Sequence, residues 1–210
     1  MNYGLYVITD EIAATGRSPV HIAQKCAKYG ANVLQLRDKK MSSEELLNSA
    51  KEVLEAIKGS GTSLIVCDDL DAALGSGAAG LHIYESDISV EDAKAKGPDG
   101  FIVGVSVRDA DAASKAEADG ADYLIWGPLF PSYLEDLGEL QGLDDLKALK
   151  DSISIPVVAI GGIKLFNIAE TLKAGAEGVA VKTGALHQRD IGEAVDMMVK
   201  VIKRTREEMG

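Results

Sequence analysis

The residues most able to do chemistry fall in three short stretches. Alternation along "QLRDKK" sends Gln35, Arg37 and Lys39 to one side of an extended strand. Three polar side chains on the inner side of a packed strand are costly unless they meet a ligand or counter-charges. An arginine and a lysine together can hold a diphosphate, the arginine through its bidentate fork. The competing reading is a salt-bridged layer with Lys39 solvated at its tip.

The second stretch is acidic. Asp68 ends the run "SLIVCD", and Asp87 follows "GLHI". One or two carboxylates beside substrate phosphates and water are the usual setting for Mg²⁺. Either aspartate could instead cap a helix, although Asp69 or Asp71 could cap in place of Asp68. The third stretch is a pair of apolar runs, "PVVAIGG" and "GVAVKTG", ending in Gly161 and Gly162 and in Lys182, Thr183 and Gly184. Glycines let an anion approach the backbone closely. Thr183 adds a hydroxyl and Lys182 a cation, so the pair reads as a phosphate grip; the bland alternative is a tight strand-to-helix turn.

Other polar residues carry less. His82 reads as a packed or hydrogen-bonded histidine, and His21 and His187 as surface residues. Cys67 reads as a small buried thiol. No Ser-His-Asp arrangement can be argued.

These residues need elements to position them. Eight β-rich runs recur along the chain: "GLYVITD", "NVLQLR", "SLIVCD", "GLHI", "FIVGVS", "DYLIWG", "PVVAIGG" and "GVAVKTG". Helical patterns such as "SSEELLNSAKEVLEAIKG" and "DAASKAEADG" separate them, and several end at glycine. Eight strands alternating with helices predict a single-domain α/β protein spanning 1–210, a (β/α)8 TIM barrel. An open doubly wound sheet fits less well, because no GxGxxG follows the first run. In such barrels the site lies at the C-terminal ends of the strands, and the loops after strands seven and eight often bind phosphate. The residues expected at that rim include Thr9, Asp10, Gln35, Arg37, Lys39, Asp68, His82, Asp87, Ser106, Arg108, Gly161, Gly162, Lys182 and Thr183. Trp126 is expected to pack behind the sixth strand.

Composition narrows the class. The chain has 210 residues, 46% hydrophobic and 26% charged, as in a soluble globular protein large enough to bury a full core. A net charge of -11 argues against a nucleic-acid surface but leaves room for a phosphorylated small molecule. The two cysteines, Cys26 and Cys67, are far apart and lack metal spacing, which fits a reducing, cytoplasmic setting. The start "MNYGLYVITD" lacks the pattern of a signal peptide, and no apolar run approaches membrane-spanning length.

The pieces "QLRDK", "VCDDLDAAL", "GLHIYESDIS", "GVSV", "DYLIWGPLFPS" and "VVAIGGI", in this order, resemble the thiamine phosphate synthase family and its relatives, the TenI thiazole tautomerases. The resemblance implies a transferase that joins hydroxymethylpyrimidine diphosphate to a thiazole phosphate and releases pyrophosphate. It implies a dissociative path, in which ionisation gives a pyrimidine-methyl cation that the thiazole nitrogen captures. By matching position, Gln35 would face the pyrimidine, Arg37 and Lys39 the diphosphate, and Ser106 the pyrimidine by a hydrogen bond. Asp68 and Asp87 would hold Mg²⁺, and Gly162, Lys182 and Thr183 would lie at the thiazole phosphate, with Gly161 and Ser132 also binding substrate. Arg37, Lys39 and Ser106 would carry the catalysis; a homodimer is compatible with the same reading.

Two departures fall on the leaving-group side. Cys67 stands where the synthases usually have Asn, and Glu135 where their loop after strand six usually has Lys. The alternatives are a tautomerase, whose histidine after strand five is here Arg108, and a phosphate-binding barrel without catalysis.

Overall fold

A helix separates each apolar run from the next, so consecutive runs are free to pair in parallel. The computed structural model describes residues 1–10, 13–132 and 138–210. Its order is β1 (Leu5–Ile8), α1 (Pro19–Lys28), β2 (Val33–Leu36), α2 (Ser43–Ile57), β3 (Ser63–Cys67), α3 (Leu70–Ser76), β4 (Gly80–Ile83) and α4 (Val90–Lys96). Then follow β5 (Ile102–Val107), α5 (Ala110–Ala118), β6 (Tyr123–Trp126), α6 (Leu143–Ser152), β7 (Val157–Ile160), α7 (Ile168–Lys173), β8 (Gly178–Val181), α8 (Thr183–Leu186) and α9 (Ile191–Met209). The strands close in sequence order, and the ring is completed by β1 pairing in parallel with β8. This is the (β/α)8 barrel that the sequence predicts.

The helix starts are written into the chain. Ser18, Ser42, Asp69, Ser89, Asp109 and Asp190 each accept a backbone N–H of the first turn that would otherwise lack a partner. At α2, Glu45 returns a bond to the Ser42 amide, completing a capping box. Asp69 is therefore the cap of α3, which frees Asp68 from that role.

Two apolar layers hold the barrel. Leu5, Val7, Leu34, Leu36, Leu124 and Trp126 face outward into the layer shared with the helices, so Trp126 does pack behind β6. Their alternate neighbours, Tyr6, Ile8, Val33, Ile65, Tyr123, Ile125, Val158 and Ala180, fill the barrel interior. Gln35 and His82 are buried alongside them. An unsatisfied buried polar group costs roughly 1–3 kcal/mol, about what a buried aliphatic side chain gains. These residues therefore belong inside only if they are bonded. No helix among the described residues is long and apolar enough to cross a membrane.

Candidate active site

The inward side chains near the C-terminal strand ends form the floor of a cavity. Gln35, Arg37, His82, Ser106, Arg108, Ser132, Gly161, Gly162, Lys182 and Thr183 all line it. Beneath it lies an unbroken row of hydrogen bonds. The Tyr6 hydroxyl donates to Gln35 Oε1 at 2.7 Å and lies 2.8 Å from the Tyr123 hydroxyl. Tyr123 Oη is 3.1 Å from His82 Nδ1, and His82 Nε2 is 2.9 Å from Ser106 Oγ. Burial holds the His82 pKa down to about 3; the Asp68 charge opposes that shift and the Arg37 charge adds to it. Burial also pushes both tyrosines well above their ordinary range. The row is neutral, and His82 is the bonded histidine that the sequence predicts.

Cations stand above this floor. Thr9 fixes the backbone where β2 ends: its Oγ1 accepts from the Arg37 N–H at 2.8 Å and donates to the Arg37 carbonyl at 3.1 Å. Arg37 Nη1 lies 3.6 Å and Lys182 Nζ 3.5 Å from the same oxygen of Asp10. The Arg37 guanidinium packs over the Tyr84 ring at 4.8 Å. Its Nε is buried and has no hydrogen-bond partner among the described residues. A buried guanidinium donor without an acceptor fits a site that an anion completes.

Gly161 and Gly162 have φ of 95° and 60°, the left-handed region that glycine enters without a steric cost. A Cβ at Gly161 would lie 2.4 Å from Pro128 Cβ, and one at Gly162 would lie 2.3 Å from the Phe130 carbonyl oxygen. The turn and its packing against the loop after β6 thus already require both glycines. The sequence reading favoured phosphate and kept the tight turn as its alternative. A phosphate role is compatible: among the described residues, the N–H groups of Gly162, Thr183 and Gly184 take part in no described hydrogen bond.

Lys39, Asp68 and Asp87 do not line the cavity. The β2 ladder ends at Leu36, so strand alternation no longer governs Lys39, which pairs with Glu85 at 2.5 Å and is exposed. Asp68 has φ of 61°, and its Oδ1 accepts the backbone N–H groups of Tyr84, Glu85 and Ser86 at 2.6, 3.0 and 3.2 Å. Its Oδ2 accepts from the Cys67 thiol at 3.5 Å. Burial, then the Asp68 charge, raises the Cys67 pKa, while the Arg37 charge pulls it down. Asp68 therefore anchors the loop that carries Asp87. Asp87 is exposed, makes no described hydrogen bond or ion pair, and does not cap α4, because Ser89 does. No cluster of three metal-ligating side chains occurs among the described residues. Two carboxylates on neighbouring loops still fit a Mg²⁺ ion that takes its other oxygens from substrate and water. Glu135 lies outside the described residues.

Sequence reasoning gave Asp10 only a place on the rim, read His82 as packed or hydrogen-bonded without naming its partners, and missed Tyr6, Tyr123 and Tyr84. Their one signal was alternation: Tyr6 and Tyr123 share the parity of the inward residues on their strands.

A parallel barrel with a cationic, polar-floored cavity at its C-terminal mouth defines the class, a (β/α)8 enzyme built for a phosphorylated small molecule. The family model described as thiamine monophosphate synthase matches residues 5–185, and the chain belongs to that family. A thiamine-phosphate synthase from Methanocella arvoryzae is 42% identical over 207 residues, covering 98% of each chain. One from Clostridium botulinum is 37% identical over 95% of this chain and 98% of its own. Among solved structures, a thiamine phosphate pyrophosphorylase from Pyrococcus furiosus superposes with a TM-score of 0.88 at 32% identity, covering 97% of both chains.

Proposed function

We propose that this chain is a thiamine-phosphate synthase, a transferase of thiamine biosynthesis that joins hydroxymethylpyrimidine diphosphate to thiazole phosphate with release of pyrophosphate. Family membership over nearly the whole chain supports the activity. The observation that carries the site reading is the paired grip on Asp10, with Arg37 packed over the Tyr84 ring that follows β4 and Lys182 lining the same cavity as Gly162 and Thr183.

In this reading Gln35 and Ser106 orient the pyrimidine. Arg37 and Lys39 hold the diphosphate and offset its growing charge as the carbon–oxygen bond breaks. Ser132, Gly161, Gly162, Lys182 and Thr183 hold the thiazole phosphate, so its ring nitrogen faces the pyrimidine-methyl cation. The apolar walls, Ile8, Ile125 and Ile160, keep water from that cation. Asp68 and Asp87 are the residues to hold Mg²⁺, which when bound would neutralise diphosphate charge. Arg108 lines the cavity where a tautomerase would need a histidine, which disfavours that alternative.

The reading places the enzyme in the cytoplasm, in keeping with two free, buried cysteines. It includes a homodimer, for which the exposed pair Leu165 and Phe166 is the apolar candidate; sedimentation velocity tests that part. Product analysis with both precursors, with and without Mg²⁺, tests the whole. Thiamine phosphate and pyrophosphate in equal amounts are expected only with metal, and no condensation product under either condition overturns the reading.

A further inference from the structure

We propose that the buried row Ser106–His82–Tyr123–Tyr6–Gln35 is a one-way hydrogen-bond relay that makes Ser106 an acceptor and Gln35 a donor toward the cavity, so that the site selects a ring bearing an amino group beside a ring nitrogen. Tyr6, Tyr123 and His82 act as positioning residues. The proposal rests on the reading above that a pyrimidine occupies this cavity.

The direction follows from counting protons. Each tyrosine hydroxyl carries one. Tyr6 gives its proton to Gln35 Oε1 at 2.7 Å, so in the 2.8 Å contact between the tyrosines the donor is Tyr123. With its proton used, Tyr123 can only accept from His82 Nδ1 at 3.1 Å. His82 is buried and both ring nitrogens meet hydroxyls, so the ring is neutral and carries a single proton, on Nδ1. Nε2 is then an acceptor, and Ser106 donates to it at 2.9 Å. Ser106 faces the cavity with lone pairs only. At the other end Gln35 has committed its carbonyl to Tyr6, and its amide NH₂ remains to donate.

The row has room made for it. A Cβ on Gly104 would lie 2.1 Å from Tyr123 Cζ and 2.6 Å from its hydroxyl. Glycine at that point of β5 lets the phenol reach between Tyr6 and His82. An acceptor at Ser106 and a donor at Gln35 complement an exocyclic amino group next to an unprotonated ring nitrogen. A carbonyl or alkoxy group in place of the amino group would set lone pair against lone pair at Ser106.

Two measurements test this. Long-range ¹⁵N–¹H NMR of the ligand-free protein, with His21→Gln and His187→Gln variants to assign its three histidines, reads the His82 tautomer directly. The Nδ1–H form is expected in the parent and the Nε2–H form in Tyr123→Phe, where His82 has lost its acceptor and must turn its proton toward Ser106. An Nε2–H or doubly protonated ring in the parent overturns the relay. Calorimetry then compares an aminopyrimidine diphosphate with its methoxy analogue. The parent should prefer the amino compound by about 100-fold or more, as sites built around a hydrogen bond do. Tyr123→Phe and Tyr6→Phe should each cut that preference by about tenfold, with thiazole phosphate binding unchanged. An unchanged preference in both variants overturns the proposal, because a purely structural tyrosine would weaken both ligands alike. Neither measurement depends on turnover, so absence of product from the parent would sink the synthase reading and leave the relay to be judged on its own.

Discussion

Arg37 and Lys182, carried by strands on either side of β1, point to the same carboxylate oxygen of Asp10, at 3.6 and 3.5 Å. One anion thus sits between the two cations assigned to two different phosphate groups. All three side chains are largely buried, so the cations would repel each other strongly without it. Asp10→Asn should lower unfolding free energy by about 1–3 kcal/mol, less than a fully dry pair would lose. Pyrophosphate should then raise the thermal midpoint of the variant more than that of the parent, because the ligand takes over as counter-charge. Thermal melts with and without pyrophosphate check this, and equal shifts in the two proteins would remove Asp10 from that role.

Asp68 and Asp87 are expected to separate under mutation, although both are assigned to Mg²⁺. Asp68 Oδ1 holds three backbone amides of the Tyr84–Ser86 loop, whereas Asp87 makes no described bond. Asp87→Asn should abolish metal-dependent turnover with an unchanged melting temperature. Asp68→Asn should abolish turnover and also cost about 1–3 kcal/mol, since an amide accepts those three bonds less strongly than a carboxylate. Metal titrations and urea denaturation distinguish the two. Normal metal dependence in the Asp87 variant would show that the ion is held elsewhere.

Acid should reach the barrel through His82. Its ordinary value is 6.5 and burial lowers it to about 3, so between those values the unfolded chain binds a proton that the folded chain refuses. Stability is therefore unaffected by this group above about pH 6.5 and declines as pH falls toward 3, by about 1.4 kcal/mol per unit. Going from pH 7 to pH 5, the parent should lose about 2 kcal/mol more than His82→Gln. Urea unfolding of both proteins at the two pH values checks it, and parallel losses would mean that His82 is not held neutral by the fold.

What could be read from the chain follows its physics. Strand alternation is local, so eight apolar runs were enough for the barrel, Gln35 and Arg37 could be placed inward by parity, and Ser106 could be placed at the rim by its position at a strand end. Lys39 escaped that rule because the ladder stops at Leu36 and the loop beyond it answers to Glu85 and Tyr84 instead. Tyr6 and Tyr123 lie 117 residues apart, and as isolated letters they look like ordinary core. Only the closed register of the barrel brings their hydroxyls together. Asp68 likewise gained its loop-anchoring role from a left-handed backbone that no periodicity announces.

Gly162 separates the two roles assigned to the glycines after β7. Its φ of 60° costs an alanine roughly 1–2 kcal/mol. The added Cβ would also meet the Phe130 carbonyl oxygen at 2.3 Å and that of Pro131 at 2.6 Å, so the loop carrying Ser132 must shift. Gly162→Ala should therefore lower stability by about 2 kcal/mol or more. If the same turn also cradles a phosphate, binding of thiazole phosphate should fall more than tenfold, a loss above about 1.4 kcal/mol. Binding of the pyrimidine diphosphate, held on the other side of Asp10, should stay within about twofold, because Gly162 itself touches none of the groups assigned to that ligand. Calorimetry with each ligand, beside urea denaturation, resolves the cases. A destabilised variant that binds thiazole phosphate as the parent does would show that the glycines serve the turn alone. The phosphate grip would then rest on Lys182 and Thr183.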